Sequence, residues 1–128
     1  MSVIALGLDL VDVARVKALL ERHGERFCER TFSTAECAYC DAHTEPAIHY
    51  AARFAAKEAV AKALGTGFSQ GVNWKDIEVL RSDQGVPSIA LHAGAKAKAD
   101  ELGITKWLLS LTHTSTTAAA SVVALSNG

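Results

Sequence analysis

Two acidic side chains and one lysine form a set that could bind a metal ion and a phosphate. Asp9 closes the apolar stretch VIALGLD, and Glu58 and Lys62 lie four residues apart in RFAAKEAVAKALGTG, residues 53–67. Two carboxylates can hold Mg²⁺, which keeps several waters and takes its remaining ligands from phosphate oxygens. On a helix, Lys62 lies one turn beyond Glu58, where it can neutralise a phosphate charge.

Each of these residues also has a purely structural interpretation. Glu58 and Lys62 could form a surface pair worth about 0.3–0.5 kcal/mol beside an alanine-rich packing face. Asp9 could cap the end of its strand or pair with a nearby arginine. Gly7, two positions earlier, allows close approach of another backbone or of a ligand. Residue spacing alone leaves both interpretations open.

The elements that must position these residues follow from hydrophobic periodicity and from turn residues. The predicted helices span residues 12–24, 46–64 and 93–103, and a further short helix begins at Ser33, which forms a capping box with Glu36. The predicted strands are 3–11, a hairpin of 76–82 and 87–91, and two final strands at 106–114 and 118–125. Strands and helices alternate without a regular βαβ repeat. We therefore expect an α+β fold, in which a mostly antiparallel sheet packs against a long central helix and shorter helices.

Composition limits the classes of protein to which the chain can belong. Its 128 residues are 49% hydrophobic and 21% charged, which predicts one globular domain spanning residues 1–128. The formal net charge of -1 gives no overall attraction to nucleic acid or to an anionic membrane. Asp9 and Asp12 interrupt the apolar N-terminal run, and no basic segment precedes it, so we expect neither a signal peptide nor a membrane span.

The cysteines allow two interpretations. Three cysteines, an odd number without an export signal, indicate reduced thiols in the cytoplasm. Cys37 and Cys40 in CAYCDAHTEPAIH nevertheless have a spacing that can hold zinc, with His43 and His49 as further ligands. The loose spacing of those histidines and the intervening proline favour ordinary thiols.

Two separated motifs resemble those of the holo-acyl-carrier-protein synthases, the small group of the 4'-phosphopantetheinyl transferases. That family shows Gly-x-Asp near the N-terminus and later Phe-x-x-Lys-Glu-Ala-x-x-Lys, which here are GLD at 7–9 and FAAKEAVAK at 54–62. SDQGVPSI resembles the family's hairpin, and LSLTHTSTTAAASVVAL resembles its closing strand pair, with Thr112 where serine is common. The segment CAYCDAH, residues 37–43, departs from the family's pattern.

The resemblance implies an Mg²⁺-dependent reaction in support of fatty acid biosynthesis. Phosphopantetheine passes from coenzyme A to a serine of apo acyl carrier protein, and adenosine 3',5'-bisphosphate is released. Asp9 and Glu58 then bind the metal and Lys62 faces a phosphate, so these three residues are the expected catalytic set. The acceptor serine needs a general base, for which a metal-bound water and either carboxylate remain alternatives.

Coenzyme A is expected to contact Lys62 and four further residues, namely Arg53, Gly65, Thr66 and His113. His113 could instead be a histidine at the edge of the core whose partner is a backbone carbonyl. Gly65 is also explained as a helix stop, so the loop around Thr66 is weak evidence for a nucleotide site.

The resemblance also implies two protein partners. The family docks the acidic carrier protein on its first helix, where Arg15 and Arg22 share a face, and Arg26 extends this stripe only if the helix continues past Gly24. Interleaved glutamates leave a mixed-charge solvated face as the alternative. The family is trimeric, with active sites between subunits, which the high apolar content permits.

Two other classes of function remain open from the sequence. A non-catalytic magnesium- or nucleotide-binding module could use the same Asp9 and Glu58, and substrate turnover separates it from an enzyme. A zinc-stabilised interaction protein would depend on Cys37, Cys40 and His43, and metal analysis separates that alternative.

Overall fold

The computed structural model describes residues 1–127, which form five helices, one 3-10 turn and five strands. In chain order the elements are β1 (Ser2–Asp12), α1 (Val13–His23), α2 (Glu25–Thr31), α3 (Thr34–Asp41), α4 (Pro46–Leu64), a 3-10 turn (Trp74–Asp76), β2 (Ile77–Arg81), β3 (Pro87–Leu91), α5 (Ala93–Leu102), β4 (Lys106–His113) and β5 (Thr117–Ser126). The predicted α+β class is confirmed, since both sheets are antiparallel and pack with helices. No helix within residues 1–127 is long and apolar enough to cross a membrane.

Helix α4 lies at the centre of the core, as its alanine content predicts. The stripe of small residues packs against the sheet formed by β1, β5 and β4, and all of its members are buried: Ala52, Ala55, Ala56, Ala59 and Ala63. Pro46 occupies the first turn, where its missing N–H is not needed. Gly65 ends the helix with φ 79°, a left-handed conformation that glycine adopts without strain. The predicted bounds of 46–64 are therefore confirmed.

The three-stranded sheet has the order β1-β5-β4, so the C-terminal strand is its centre. Along β1, side chains alternate between the two faces of the sheet, because the side-chain period of a strand is two. Gly7 and Val11 are buried on the α4 side, whereas Leu6, Leu8 and Leu10 are exposed on the opposite side. Asp9 belongs to the α4 side and is opposite Ala120 of β5.

The first helical region differs from the predicted single helix. Gly24, with φ 47°, ends α1 and its N–H bonds to the Leu20 carbonyl, but α2 begins at the next residue. Arg26 therefore lies on a second helix and does not extend the α1 stripe. Helix α2 is not predicted by the sequence, because a seven-residue helix is too short to display a helical period.

The capping box at the start of α3 is confirmed. The Glu36 N–H donates to the Ser33 hydroxyl at 3.1 Å, and the Ser33 N–H donates to Glu36 Oε1 at 2.8 Å. These two bonds satisfy donors that a helix N-terminus otherwise leaves free. The predicted hairpin is also present, as β2 paired with β3.

Candidate active site

Strand β1 approaches α4 so closely that only glycine fits at position 7. A Cβ built on Gly7 would lie 2.0 Å from the Ala59 carbonyl oxygen, which is far inside van der Waals contact. The same strand face carries Asp9 two residues later, because side chains alternate along a strand. Gly7 and the small residues of α4 therefore allow the Asp9 carboxylate to reach the polar residues near the end of the helix.

Asp9 forms an ion pair with Lys62. The Lys62 ammonium donates to Asp9 Oδ1 at 2.7 Å and to the Leu8 carbonyl at 3.2 Å. The hydrogen bond to Asp9 raises the pKa of Lys62, so the side chain is protonated at neutral pH. Two structural alternatives are thereby corrected: Lys62 pairs with Asp9 rather than Glu58, and the partner of Asp9 is a lysine rather than an arginine.

Glu58 completes this group and lacks a hydrogen-bond partner at one oxygen. Its Oε1 is buried and unpaired among the described residues. Burial, and next the negative charge of Asp9, raise the pKa of Glu58, while Arg15 and Lys62 oppose that change. Leaving a buried acceptor without a donor costs about 1–3 kcal/mol of folding free energy, so a cation or a hydrogen-bond donor that binds Oε1 would stabilise this position.

The donor set of this group fits a hard divalent cation. Asp9 and Glu58 supply carboxylate oxygens, the ligand type that Mg²⁺ prefers, and the unpaired Oε1 is free to bind one. Within residues 1–127, no cluster of three or more His, Cys, Asp or Glu side chains could hold a metal. Two carboxylates suit Mg²⁺, since that ion completes its coordination with waters and phosphates.

The zinc interpretation of the cysteine segment finds no support in this geometry. Cys40 is fully buried in the core, and burial raises the pKa of its thiol to about 12, which opposes the thiolate form that zinc requires. The His43 and His49 rings stack on each other at 3.6 Å between centroids. All three cysteines are free thiols.

A second lysine of α4, Lys57, has a different role that the sequence analysis did not assign. Its ammonium lies 2.9 Å from Glu36 Oε1 and donates to the carbonyls of Trp74, at 3.1 Å, and Ile77. Glu36 Oε2 accepts from the Val79 N–H at 2.9 Å. Both side chains are fully buried, so this pair joins α3, α4 and β2 inside the core. The capping motif identified Glu36, but nothing in the spacing connected it to Lys57.

The residues expected to bind coenzyme A fall into two places. Arg53 is buried, and its guanidinium lies 4.0 Å from the centre of the Tyr39 ring. His113 is exposed and lies edge-on to His49, whose protonation Arg53 also opposes. On α4, Arg53 and Glu58 are about 140° apart round the helix axis. The structure therefore brings Arg53 and His113 to a common region, but not together with Asp9 and Glu58.

Gly65 and Thr66 follow directly after the helix that carries Glu58 and Lys62. Nothing lies within 4 Å of a Cβ built on Gly65, so the backbone there faces open space. The Thr66 hydroxyl donates to the Gly67 carbonyl at 2.8 Å, and the residue is largely buried. The Thr66 hydroxyl is thus used in a hydrogen bond within the loop. The group that a ligand can reach in this loop is the backbone of Gly65.

An aromatic cavity lies where α1 and α2 meet α4. Arg15 lies over the Phe54 ring at 5.4 Å, and Phe54 packs on Trp74, with 4.5 Å between ring centroids. These two rings line a cavity of about 560 Å³ together with residues of α1 and α2, among them Arg26. Arg15 and Arg22 both lie on α1, as predicted. Arg26, which belongs to α2, lines the cavity itself.

Comparisons with known proteins identify the family of this chain. The model of the 4'-phosphopantetheinyl transferase superfamily matches residues 5–121. The holo-[acyl-carrier-protein] synthase of Natranaerobius thermophilus is 44% identical over 121 residues, which cover 94% of this chain and 96% of the relative. That of Chlamydia pneumoniae is 42% identical over 125 residues, which cover 98% and 99% of the two chains.

A solved structure extends this similarity to three dimensions. The Helicobacter pylori holo-[acyl-carrier-protein] synthase, determined in complex with coenzyme A, superposes with a TM-score of 0.83 at 32% identity. The match covers 94% of this chain and 99% of that one. With the family model spanning most of the sequence and with relatives above 40% identity, the chain belongs to the 4'-phosphopantetheinyl transferase superfamily, in its holo-[acyl-carrier-protein] synthase family.

Proposed function

We propose that this chain transfers 4'-phosphopantetheine from coenzyme A to a serine of apo acyl carrier protein, in support of fatty acid biosynthesis. The products are holo acyl carrier protein and adenosine 3',5'-bisphosphate. The observation that carries the proposal is the group formed by Asp9, Glu58 and Lys62, in which a buried carboxylate oxygen lacks a donor beside a second carboxylate and a lysine. That arrangement suits a cation together with a pyrophosphate, and the pyrophosphate is the reacting part of coenzyme A.

Asp9 and Glu58 are the proposed ligands of Mg²⁺. When bound, the ion acts as a Lewis acid that stabilises the charge developing on the pyrophosphate oxygens. The unpaired Oε1 of Glu58 and the repulsion between the two carboxylates support this assignment, because both are relieved by a cation.

Lys62 and Glu58 have separate proposed roles in the transfer. Because its pKa is raised, Lys62 is a poor proton donor, so it neutralises phosphate charge rather than protonating the leaving group. Burial and the charge of Asp9 raise the pKa of Glu58, and a bound cation offsets both effects. A carboxylate that binds a cation is a weak base, so Glu58 is proposed as a metal ligand rather than as the acceptor of the serine proton.

Arg53 and His113 are proposed to hold a phosphate of coenzyme A away from the reacting centre. Arg53 Nε and Nη1 are buried without a hydrogen-bond partner, which supports an anionic ligand there. Gly65 is proposed to contact the coenzyme A chain through its open backbone, and Thr66 to shape that loop.

The carrier protein is proposed to dock on α1 and α2. Arg15, Arg22 and Arg26 supply the positive charge that an acidic partner helix requires, and the aromatic cavity offers an apolar contact beside them. Arg15 lies over the ring of Phe54, a residue of the helix that carries Glu58, which supports a docking surface close to the proposed site.

A homotrimer with active sites between subunits is the proposed assembly. The outer face of the sheet exposes Leu6, Leu8 and Leu10 of β1 together with Leu108 of β4, a patch of the kind that protein interfaces cover. The separation of Arg53 and His113 from Asp9 and Glu58 supports a site to which two subunits contribute. Sedimentation of wild type and Leu8→Lys tests this, with a trimer and a smaller species as the expected results.

The cytoplasm is the proposed location, and residues 1–128 are the proposed extent of one transferase domain. Three free thiols support a reducing compartment.

Intact-mass analysis of apo acyl carrier protein tests the transfer reaction directly. The carrier is incubated with the protein, coenzyme A and Mg²⁺, in parallel with a chelator and with Glu58→Gln. A gain of one phosphopantetheine that the chelator and the substitution both remove is the expected result. A folded wild-type protein that modifies no carrier would contradict the proposal and leave a non-catalytic binding module.

A further inference from the structure

Cationic and ionisable side chains from several elements lie around the ring of Tyr39. The guanidinium of Arg53, from α4, lies 4.0 Å from its centroid, and that of Arg81, from β2, lies 5.3 Å away. The rings of His43 and His49 are 4.6 and 6.0 Å from the same centroid. This set, which we term the Tyr39 cluster, also includes His113 of β4, whose ring is 6.0 Å from that of His49.

In the described part of the chain, the two arginines of the Tyr39 cluster are not paired with carboxylates. No carboxylate within residues 1–127 forms a salt bridge with Arg53 or Arg81, and Arg81 donates instead to the Gly85 carbonyl at 2.6 Å. Arg53 is only 2% exposed, and its Nε and Nη1 have no hydrogen-bond partner. A buried charge without a partner is costly, so these nitrogens indicate an anionic ligand.

His49 occupies the centre of the histidines in this cluster. Its ring stacks on His43 at 3.6 Å with an interplanar angle of 26°, and His113 meets it edge-on. The Nδ1 of His43 lies 2.8 Å from the Tyr39 carbonyl and donates to it, which fixes the ring on which His49 stacks. The position of His49 is therefore set by packing rather than by a hydrogen bond of its own.

We propose that His49 is a further recognition residue for the phosphate monoester of coenzyme A, and that it takes up a proton when this phosphate binds beside Arg53. The proposal rests on the proposed function, since it names a second determinant at the same nucleotide site. His49 belongs to neither of the two motifs by which the sequence resembles its family.

The surroundings of His49 explain why its charge depends on the ligand. Burial, and then His43, Arg53, His113 and Arg81, lower its pKa to about 4, so the imidazole of the free protein is neutral at pH 7. A phosphate dianion at Arg53 opposes the positive charges that lower the pKa of His49 and therefore raises that pKa. Binding is then coupled to proton uptake, and the contribution of His49 to affinity grows as the pH falls.

Calorimetric titration with adenosine 3',5'-bisphosphate measures this coupling. Titrations at pH 6.5 in buffers of low and high ionisation enthalpy give the number of protons taken up by wild type, His49→Gln and His49→Phe. Both variants are expected to take up fewer protons and to bind about 10-fold more weakly, as for a lost hydrogen bond to a charged group. His49→Phe keeps an aromatic ring in the stack, so it tests protonation even if His49→Gln unfolds.

Two controls assign the effect to the 3'-phosphate, which is the phosphate monoester of coenzyme A. Adenosine 5'-monophosphate, which lacks the 3'-phosphate, is expected to bind wild type and His49→Phe equally. His23→Gln, a change in a histidine at the end of α1, is expected to behave as wild type.

The outcomes separate this inference from the transferase function. Unchanged affinity and unchanged proton uptake in His49→Phe, with wild-type transfer intact, would overturn the role of His49 alone. A wild-type protein that neither binds the bisphosphate nor modifies carrier protein would overturn both proposals.

Discussion

Helix α4 carries two lysine–carboxylate pairs that use the same chemistry for different ends. Lys57 and Glu36 are fully buried, and their polar atoms have partners from α3, β2 and the 3-10 turn. Lys62 is 56% exposed and pairs with Asp9, which is 11% exposed, next to a Glu58 oxygen that has no partner.

The difference between the two pairs lies in how completely their hydrogen bonds are satisfied. The Lys57–Glu36 pair leaves no polar atom available to a ligand, so its role is to fix the position of α4 against the neighbouring elements. The Asp9–Lys62 pair with Glu58 leaves a carboxylate oxygen unpaired and an ammonium open to solvent, so it can exchange partners. A charged residue on a helix is therefore best interpreted by what its partners leave unsatisfied.

Breaking the buried pair should have the largest effect on stability. Lys57→Met leaves Glu36 charged and buried, and we expect a loss of about 3–5 kcal/mol in the free energy of unfolding. Lys57→Met combined with Glu36→Leu should recover part of that loss, because no lone charge remains buried. Urea denaturation measures both, with Lys96→Met in the exposed Lys96–Asp100 pair as the control, expected to cost less than about 0.5 kcal/mol. A loss as small as in the control would show that the buried pair is not structural.

Removing the unpaired carboxylate should instead reduce activity and leave the fold intact. We expect Glu58→Gln and Asp9→Asn each to lower the transfer rate by about 10²–10³-fold, since each removes charge stabilisation at the reacting phosphate. Mass spectrometry of the carrier protein measures the transfer rate, and the melting temperature of each variant checks that its fold is intact. The exposed Glu101→Gln on α5 should match wild type. Near-wild-type rates in both site variants would remove Asp9 and Glu58 from the reaction.

Neutralising Lys62 should have a smaller effect on the same reaction. Lys62→Met removes one charge-assisted contact to phosphate, for which we expect a decrease of about 10- to 100-fold in kcat/KM. Lys62→Arg keeps the charge and should retain a larger part of the activity. Steady-state kinetics with coenzyme A as the varied substrate test this. Equal losses in the two variants would indicate that charge is not what Lys62 contributes.

Charge reversal on α1 should affect the carrier protein more than coenzyme A. Arg22→Glu is expected to raise KM for carrier protein about 5-fold at low ionic strength and less at high salt, because the exposed charge is screened. Arg15→Glu should raise KM similarly and also lower kcat, because Arg15 stabilises the charged form of Glu58. Lys98→Glu on α5 is the matched control. An unchanged KM in both α1 variants would exclude this helix from docking.

The smallest expected effect is on the pH dependence of stability. The pKa of Glu58 is raised above its ordinary value of 4.5, so the folded state holds the charged form less well than the unfolded chain. This destabilisation is fully present above the folded pKa and disappears below pH 4.5. Glu58→Gln should therefore be more stable than wild type at pH 7, and the difference should shrink towards pH 4. Thermal melts across that range check the sign, and a difference that grows on acidification would contradict it.

Local signals in the sequence predicted much of the fold. Pro46 and Gly65 fixed the ends of α4 because a helix start tolerates proline and a left-handed helix end favours glycine. Ser33 and Glu36 fixed the start of α3 in the same way. The second helix, α2, was missed, because Gly24 was interpreted only as a stop and the seven residues that follow have no clear period.

The sequence predicted that Asp9, Glu58 and Lys62 lie together, but it did not predict which of them form a pair. Gly7 indicated a close approach, and the structure identifies the Ala59 backbone as the group that approaches it. The sequence could not show that Lys57 pairs with Glu36 while Lys62 pairs with Asp9, since each pair joins residues distant in the chain. The grouping of His43, His49 and His113 near Arg53 could not be predicted either, because His43, α4 and β2 converge on Tyr39 and β4 brings His113 beside His49.

The sequence by itself determined most of the elements, the α+β class and the set of chemically capable residues, because capping, glycine conformation and hydrophobic period act over a few neighbouring positions. Only the tertiary structure decided that Lys57 is buried with its hydrogen bonds satisfied, that Lys62 is exposed, and that Arg53 lacks an acceptor. Those properties depend on burial and on partners brought together by packing, and hydrogen-bond satisfaction is a property of the folded chain rather than of any local segment.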